Sequence, residues 1–444
     1  MYKKGKDLTQ GPVVLNLLAL GGPMLIGMIS VIGFALTDTY FIGLLGTQEL
    51  AAIGYTFPIS ATVFAAVFGL GVATSSLVSQ SIGKRDFAAA KRFTTHCLSL
   101  SLLLVSIFII LGIWTITPVF TWLGAQEQTL TLIREYMVLW YAGMLFIVIP
   151  VVGNNAIRAT GDAIFPAIIM VFAGVLNALM DYVLIFGKWG APAMGMQGAA
   201  LASLIARFFT LLASVGILHF REALIDWAHF FTGGIVESWK RILGIASTAA
   251  VNNIVIPFSI AIVTRLIASY GEDAVAAFGV ASKLEAFALI PMTAAASGMA
   301  PFVGQSWGAN QKGRILEAYQ WMFRFCMLYG AFIGILFYFL SSWMLSWFDQ
   351  NPEVLRIGTS YLTLVPWSYA LEGVLIFSTI SFNAIGKPSI SLVFTSLRMF
   401  IIYIPVALAL KYFFGITGIF IACALANLLA GTSSYRYAVY KIRE

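Results

Sequence analysis

Among the 19 Asp and Glu residues in this chain, Asp38, Asp181, Glu285 and Glu372 fall inside long apolar stretches. A charged side chain at the centre of a hydrocarbon layer costs about 2.5 kcal/mol or more, so an acid kept there is a functional candidate by default. Such a carboxyl group can take up and release a proton, or hold a small cation with other oxygens around it. Gly46 and Gly187 mark the ends of the stretches that carry Asp38 and Asp181. At helical rise the two acids stand about 12 Å and about 9 Å from those glycines, which puts both at similar depth. Asn177 and Asp181 are spaced i, i+4, so one helical face presents an amide beside a carboxylate. Ser203 is as far along the chain from Gly195 as Asp38 is from Gly46, and so reaches a similar depth from its own stretch. Two acids, an amide and a hydroxyl make an all-oxygen donor set for H+ or Na+. The structural alternative is a pair of acids held neutral by local hydrogen bonds, with no part in transport. Glu285 and Glu372 form a second candidate site. Lys283 stands just before Glu285, so mutual neutralisation competes there with a transport role, whereas Glu372 has no local partner. Arg207, Arg265, Arg324 and Arg398 lie toward stretch ends and read as snorkelling cations.

The elements that position these groups follow from composition. The chain has 444 residues, 60% hydrophobic and only 10% charged, with a mean hydropathy of +0.91. A soluble domain carries roughly 25% charged residues, so a water-facing enzyme is excluded and lipid is the expected solvent. Apolar segments run over about 13–45, 52–80, 92–117, 130–156, 164–187, 195–219, 240–268, 277–305, 315–341, 355–382, 389–412 and 416–438. Each is long enough for a spanning helix of about 20 residues. The first follows Lys3, Lys4 and Lys6, as a signal peptide would, but is too long for one and is read as a helix. Lys and Arg divide 17 to 4 between the two sides, with the remainder inside spans, which places both termini in the cytoplasm. The net charge of +7 therefore reports topology, and no nucleic-acid partner is expected.

The chain is also a duplication. Gly46–Gly54 (GTQELAAIG) is matched by Gly271–Gly279 (GEDAVAAFG). The same offset carries Gln80-Ser81-Ile82-Gly83 onto Gln305-Ser306-Trp307-Gly308 and Gly161 onto Gly386. At a slightly shorter offset, Gly195 and Gly198 meet Gly415 and Gly418. Six spans separate the copies, so both enter the membrane the same way, as parallel repeats. The expected organisation is an all-α polytopic membrane protein of twelve transmembrane helices in two six-helix bundles. Residues 1–219 form an N-lobe, 220–239 a cytoplasmic linker and 240–444 a C-lobe. The acids did not follow the duplication, since residues 38 and 181 map onto Val263 and Val406. A one-lobe specialisation fits this better than a structural need.

The repeated Gln-Ser-x-Gly motif, the six-plus-six arrangement and the length resemble the MATE family, the multidrug and toxic compound extrusion antiporters, over nearly the whole chain. Pro23, Asp38, Asn154, Asn177 and Asp181 resemble the N-lobe pattern of that family's DNA-damage-inducible branch. The resemblance implies a V-shaped pair of bundles that exports amphipathic, often cationic compounds in exchange for H+ or Na+, with a cation site at the two N-lobe aspartates. Ser203 is the candidate for the branch's helix-6 hydroxyl, and Glu372 for the C-lobe acid of another branch. Asn154 lies nearer the cytoplasmic end of its span than the two acids do.

Pro23, Pro58, Pro150, Pro257, Pro291 and Pro366 each remove a backbone donor within a span and can kink it. Pro23 precedes Asp38 on one helix, where a bend coupled to protonation and a static kink are equally readable. Cys97, Cys326 and Cys423 stand singly in apolar runs and read as buried thiols. No G-x-x-x-x-G-K-[ST] loop, H-E-x-x-H or G-x-S-x-G motif occurs, so neither ATP-driven transport within this chain nor hydrolysis is indicated. The reading is a cation-coupled exporter, with H+ favoured over Na+, and not an enzyme. It needs no cofactor, acts as a monomer in a bacterial-type inner membrane, and has small amphipathic substrates and lipid as its partners. The alternative is a flippase for lipid-linked precursors, which should line its cleft with several cations. A channel is third, because an acid pair in one lobe makes no ring.

Overall fold

The computed structural model describes residues 6–45, 47–125 and 127–444. Lys3, Lys4 and Gly46 lie outside the described residues, as do the side chains of residues 47–53, 57, 58 and 128, and with them that of Pro58. The described chain is helical throughout. Its first half holds α1 (Val13–Gly43), α2 (Thr47–Gly83), α3 (Phe87–Trp122), α4 (Glu127–Ala142), α5 (Leu145–Ala159), α6 (Ile164–Phe186) and α7 (Gly195–Gly216). The second half holds α8 (Ile235–Ala268), α9 (Glu272–Gly308), α10 (Lys312–Leu345), α11 (Pro352–Leu364), α12 (Tyr369–Ala384), α13 (Pro388–Ser396), α14 (Ile404–Phe414) and α15 (Ile416–Arg443).

Among the described residues, eleven spans are long and apolar enough to cross a membrane, or twelve if the pair α4 and α5, bent by 44°, is one span. Gly143 sits at that bend, where a weak helix former lowers the cost of the break. Span ten is interrupted between α11 and α12 by a 3₁₀ turn over Val365–Ser368, where Pro366 withholds a backbone donor. Span eleven is interrupted between α13 and α14 by a π-helical stretch, Leu397–Tyr403. The helices outrun the apolar segments: the span expected over 92–117 is the 36-residue helix Phe87–Trp122. Its length of about 54 Å exceeds the roughly 30 Å hydrocarbon layer. Side chains that would be misplaced in water point outward, with Trp114, Trp122 and Phe413 at 81%, 84% and 80% exposure. The protein is a multi-pass membrane protein.

The duplication is visible in the backbone. After α2, Lys84, Arg85 and Asp86 donate N–H bonds to the carbonyls of Gln80, Ile82 and Ser81. After α9, Ala309, Asn310 and Gln311 make the same three bonds to Gln305, Trp307 and Ser306. Arg85 and Asn310, equivalent positions of the repeat, share left-handed φ values of 59° and 57°. Gly198 and Gly418 allow the tight return of α6 on α7 and of α14 on α15: a Cβ there would stand 2.6 Å and 2.4 Å from the carbonyl oxygens of Leu184 and Leu410.

Two compact units result. Gly22–Ser247 form the bulk of the first, and Leu8–Gly21 with Thr248–Glu444 form the second. The unit boundary thus passes through α1, which continues unbroken across Gly21, Gly22 and Pro23. In the first unit, Phe93, Phe120, Trp140, Met144 and Leu218 belong to one buried core. In the second, Phe278, Tyr361, Tyr369, Tyr403 and Phe420 belong to another. Residues 220–239 pack within the first unit. There Lys91 pairs with Asp226 at 3.5 Å, His96 Nε2 lies 3.1 Å from the Thr232 carbonyl, and Trp239 Nε1 donates to the His96 carbonyl at 3.2 Å. Cys97, Cys326 and Cys423 are buried free thiols.

The second unit shows what the repeated Gln-Ser-x-Gly motif does in its C-terminal copy. Leu8 N donates to Gln305 Oε1 at 3.0 Å, and Arg314 donates to the carbonyls of Leu8 and Gly11 at 3.0 and 2.9 Å. The first turns of α1 then lie against α9 so closely that a Cβ on Gly298 would stand 2.7 Å from Gly21 N.

Candidate functional site

The four elements of the first unit that carry the expected donors are α1, α5, α6 and α7. Asn177 and Asp181, one turn apart on α6, are both fully buried. Asn177 Nδ2 donates to Ser203 Oγ of α7 at 3.4 Å. The bond joins the Ser203 hydroxyl, expected at the depth of the two acids, to the Asn177 amide. Neither Asp181 oxygen accepts a hydrogen bond from the described residues, nor does Oδ1 of Asp38 or of Asn177. Asp38 on α1 and Asp181 on α6 lie within electrostatic range of one another. The site is therefore rich in carboxylate and amide oxygens whose lone pairs the protein leaves unused. That is the donor chemistry a proton or a small alkali cation needs.

Two further groups complete the cluster. Arg207 interacts electrostatically with Asp38, and its guanidinium lies over the ring of Phe34 at 5.9 Å from the centroid. Phe34 is one turn before Asp38 on α1. The Tyr136 hydroxyl of α4 is in electrostatic range of Asp38, Asp181 and Arg207 together. Arg207, expected to snorkel, is half-buried and within electrostatic range of Asp38. Arg207 stands one turn after Ser203, so helical spacing already placed both on one face of α7. For Tyr136 the sequence carries no comparable signal. With all groups ionised, the two carboxylates and one guanidinium leave a net charge of −1, which one added proton or one Na+ cancels.

Asn154 stands apart. It is buried on α5, its Oδ1 accepts no hydrogen bond, and no bond among the described residues joins it to either acid. Pro23 lies within α1, one residue beyond the unit boundary. Among the described residues, no three His, Cys, Asp or Glu side chains are grouped to hold a metal ion.

The second unit holds a separate cluster. Glu372 on α12 accepts from Arg398 Nη2 at 2.7 Å and from Asn427 Nδ2 at 3.1 Å. Asn427 also donates to Ser368 Oγ at 2.9 Å. Glu285 on α9 accepts from the Tyr361 hydroxyl and is in electrostatic range of Glu372 and Arg398. Two expectations are overturned. Glu285 does not pair with Lys283, which is exposed, because residues two apart on a helix do not face each other. Arg398 does not snorkel, because the π-helical stretch turns it onto Glu372. Each unit thus carries its own pair of acids and one arginine, at positions that the repeat does not relate.

The MatE family model matches residues 23–183 and again residues 248–409, two stretches whose starts are separated by the offset that relates the two copies of the repeat. The chain is 34% identical over 436 residues to the FAD transporter of Shewanella oneidensis, covering 98% of this chain and 96% of that protein. It is 23% identical over 440 residues to the multidrug export protein MepA of Staphylococcus aureus, covering 98% and 95%. The crystal structure of the Vibrio cholerae MATE transporter VcmN in the bent form matches with a TM-score of 0.92 at 27% identity, over 97% of this chain and 98% of that one.

Proposed function

Because the chain belongs to the MATE family of multidrug and toxic compound efflux transporters, we propose that it exports amphipathic small molecules in exchange for a cation bound at Asp38 and Asp181. The carrying observation is the N-lobe cluster, in which buried Asp181 and half-buried Asp38 and Arg207 are linked by electrostatic range through Asp38, with a summed charge that a single cation neutralises. H+ is the favoured ion and Na+ the second. With both termini in the cytoplasm, the acid pair lies in the outer half of the membrane and a cation reaches it from outside. Neutralising the pair relieves its repulsion and lets α1 bend near Pro23, which narrows the N-lobe cavity and expels substrate. Release of the cation to the cytoplasm resets the cycle.

The substrate reading follows the relatives: a flavin dinucleotide first, after the relative named an FAD transporter, and cationic drugs second, after the multidrug exporter. Proteoliposomes under separately imposed pH and Na+ gradients test the function, with FAD and ethidium as probes. Uptake driven by the pH gradient alone supports H+ coupling, and uptake driven by Na+ alone supports Na+. Gradient-independent equilibration of both probes removes coupled export.

A further inference from the structure

Arg158, in the last turn of α5, is a cation without an anion. Its Nη2 donates to Asn155 Oδ1 at 2.6 Å and its Nη1 to the Met24 sulfur of α1 at 3.5 Å. No acid among the described residues forms an ion pair with it. An arginine at a helix end ordinarily serves the terminal carbonyls. Here those carbonyls are already served: Thr160 donates through Oγ1 to the Ile157 carbonyl at 2.7 Å, and Gly161 N donates to the Arg158 carbonyl at 2.9 Å. The same cap closes the second repeat, where Gly386 N donates to the Asn383 carbonyl at 3.0 Å. Residue 383 occupies the position of Arg158 there, so the cap does not need the cation. Residue 155 likewise maps onto Ile380. The guanidinium and its supporting amide are features of the first repeat alone.

The support is also built. Asn155 Nδ2 donates to the Val151 carbonyl at 2.8 Å, which fixes the amide so that its oxygen faces Arg158. Gly71 of α2 makes room for it, since a Cβ there would stand 2.5 Å from Asn155 Nδ2. Arg158 is thereby held toward α1, beside the residue that follows Pro23, with part of its donor fork unspent. A guanidinium in this state matches a phosphate or carboxylate, whose oxygens accept two parallel N–H bonds.

The geometry points to Arg158, oriented by Asn155, as the recognition point for a phosphate group on the exported molecule. This inference rests on the exporter reading above and names the substrate class for it: an anionic amphipath, a ring system bearing phosphate. Under the cytoplasmic placement of both termini, Arg158 lies at the side from which an exporter loads.

The test is equilibrium binding of FAD, FMN and riboflavin to the purified full-length protein in phosphatidylcholine nanodiscs, by flavin fluorescence. The three probes share the isoalloxazine ring, and only the first two carry phosphate. Arg158→Gln should lower the affinity ratio of FAD to riboflavin about ten-fold or more, as expected for loss of charge-assisted hydrogen bonds. Arg158→Lys, which keeps the charge without the fork, should fall between. Gly71→Ala, which displaces the Asn155 amide, should move the ratio in the same direction. An equal loss of FAD and riboflavin binding in Arg158→Gln would show a structural role and overturn the proposal, as would an unchanged ratio. Loss of wild-type FAD binding when phosphatidylglycerol is added would assign the guanidinium to a lipid headgroup, which also overturns it. Failure of the exporter reading is seen separately. A wild type that binds FAD through Arg158 but moves neither FAD nor ethidium under a gradient keeps the phosphate site and loses coupled export. A wild type that moves ethidium but binds no phosphorylated flavin loses the phosphate site alone.

Discussion

Arg398 Nη2 stands 2.7 Å from Glu372 Oε1, and the pair is nearly shut off from solvent. The arginine comes from a π-helical stretch and the glutamate from a helix that starts just after a proline-broken turn, so two local irregularities aim the partners at each other. Single-turn π segments are frequent at functional sites, because the extra residue re-aims a side chain.

Removing one partner of such a pair leaves the other charged, buried and alone, at a cost of about 3–5 kcal/mol. Arg398→Leu should therefore lower the melting temperature of the detergent-purified protein sharply. The double variant Arg398→Leu with Glu372→Leu should recover most of the loss. A double variant that melts no higher than the single one would show that Glu372 is not held by Arg398.

In the first unit, Asp38→Asn should abolish gradient-driven efflux while leaving the protein inserted and monodisperse. Asp181→Asn should reduce efflux less completely, because Asn177 beside it shares the cation. Cells carrying Asp38→Asn that retain full resistance to a cationic dye would remove this acid from the mechanism.

Arg207 and Asp38 should behave as a coupled pair. Arg207→Gln is expected to destabilise the wild type more than it destabilises the Asp38→Asn background, with a coupling energy of about 0.5–3 kcal/mol. Melting temperatures of the four members of the cycle measure it. Additive effects would mean that the two charges do not sense each other.

The termini are expected in the cytoplasm, and so is the turn after α9. A single cysteine in place of Asn310, in an otherwise cysteine-free chain, should react with an impermeant maleimide only in inverted vesicles. Labelling in intact cells would reverse the topology.

Gly298 admits the backbone of α1 at Gly21 N, with 2.7 Å left for a Cβ. Gly298→Leu should force the two helices apart and cost about 1–3 kcal/mol, as overpacking does in a well-filled core. A melting temperature equal to that of the wild type would show that the first turns of α1 are not docked there.

Much of this architecture is legible in the residues because lipid imposes a simple rule: spans must be long and apolar, and their ends must be charged. The duplication is legible for a related reason, since a turn with left-handed φ at residues 85 and 310 demands the same local hydrogen bonds twice. Asp38, Asp181, Asn177 and Ser203 come out of depth and helical spacing. Of their neighbours, Arg207 has such a signal through its shared face with Ser203, and Tyr136 has none. Arg398 reaches Glu372 from another helix, Arg207 and Tyr136 come within electrostatic range of Asp38 from helices far from it in sequence, and a long side chain near a span end can turn inward as readily as it snorkels. Lys283 misled through proximity in sequence, which on a helix places residues two apart on different faces. Asn154 came from the family pattern alone, and among the described residues its Oδ1 accepts no hydrogen bond.

The first turns of α1 belong to the second unit, while the rest of that helix belongs to the first. This fixes an order of assembly. Residues 8–21 are made before Gly298, Gln305 and Arg314, which hold them and which follow the whole first unit. At roughly 5–20 residues per second, that delay is about 15–55 s. Throughout it, α1 enters the bilayer with its leading end unanchored and its trailing end free to join the first unit. Synthesis of α9 and α10 then supplies the groups that hold residues 8–21, so a nascent chain halted before Gly298 would hold a complete first core with those residues undocked.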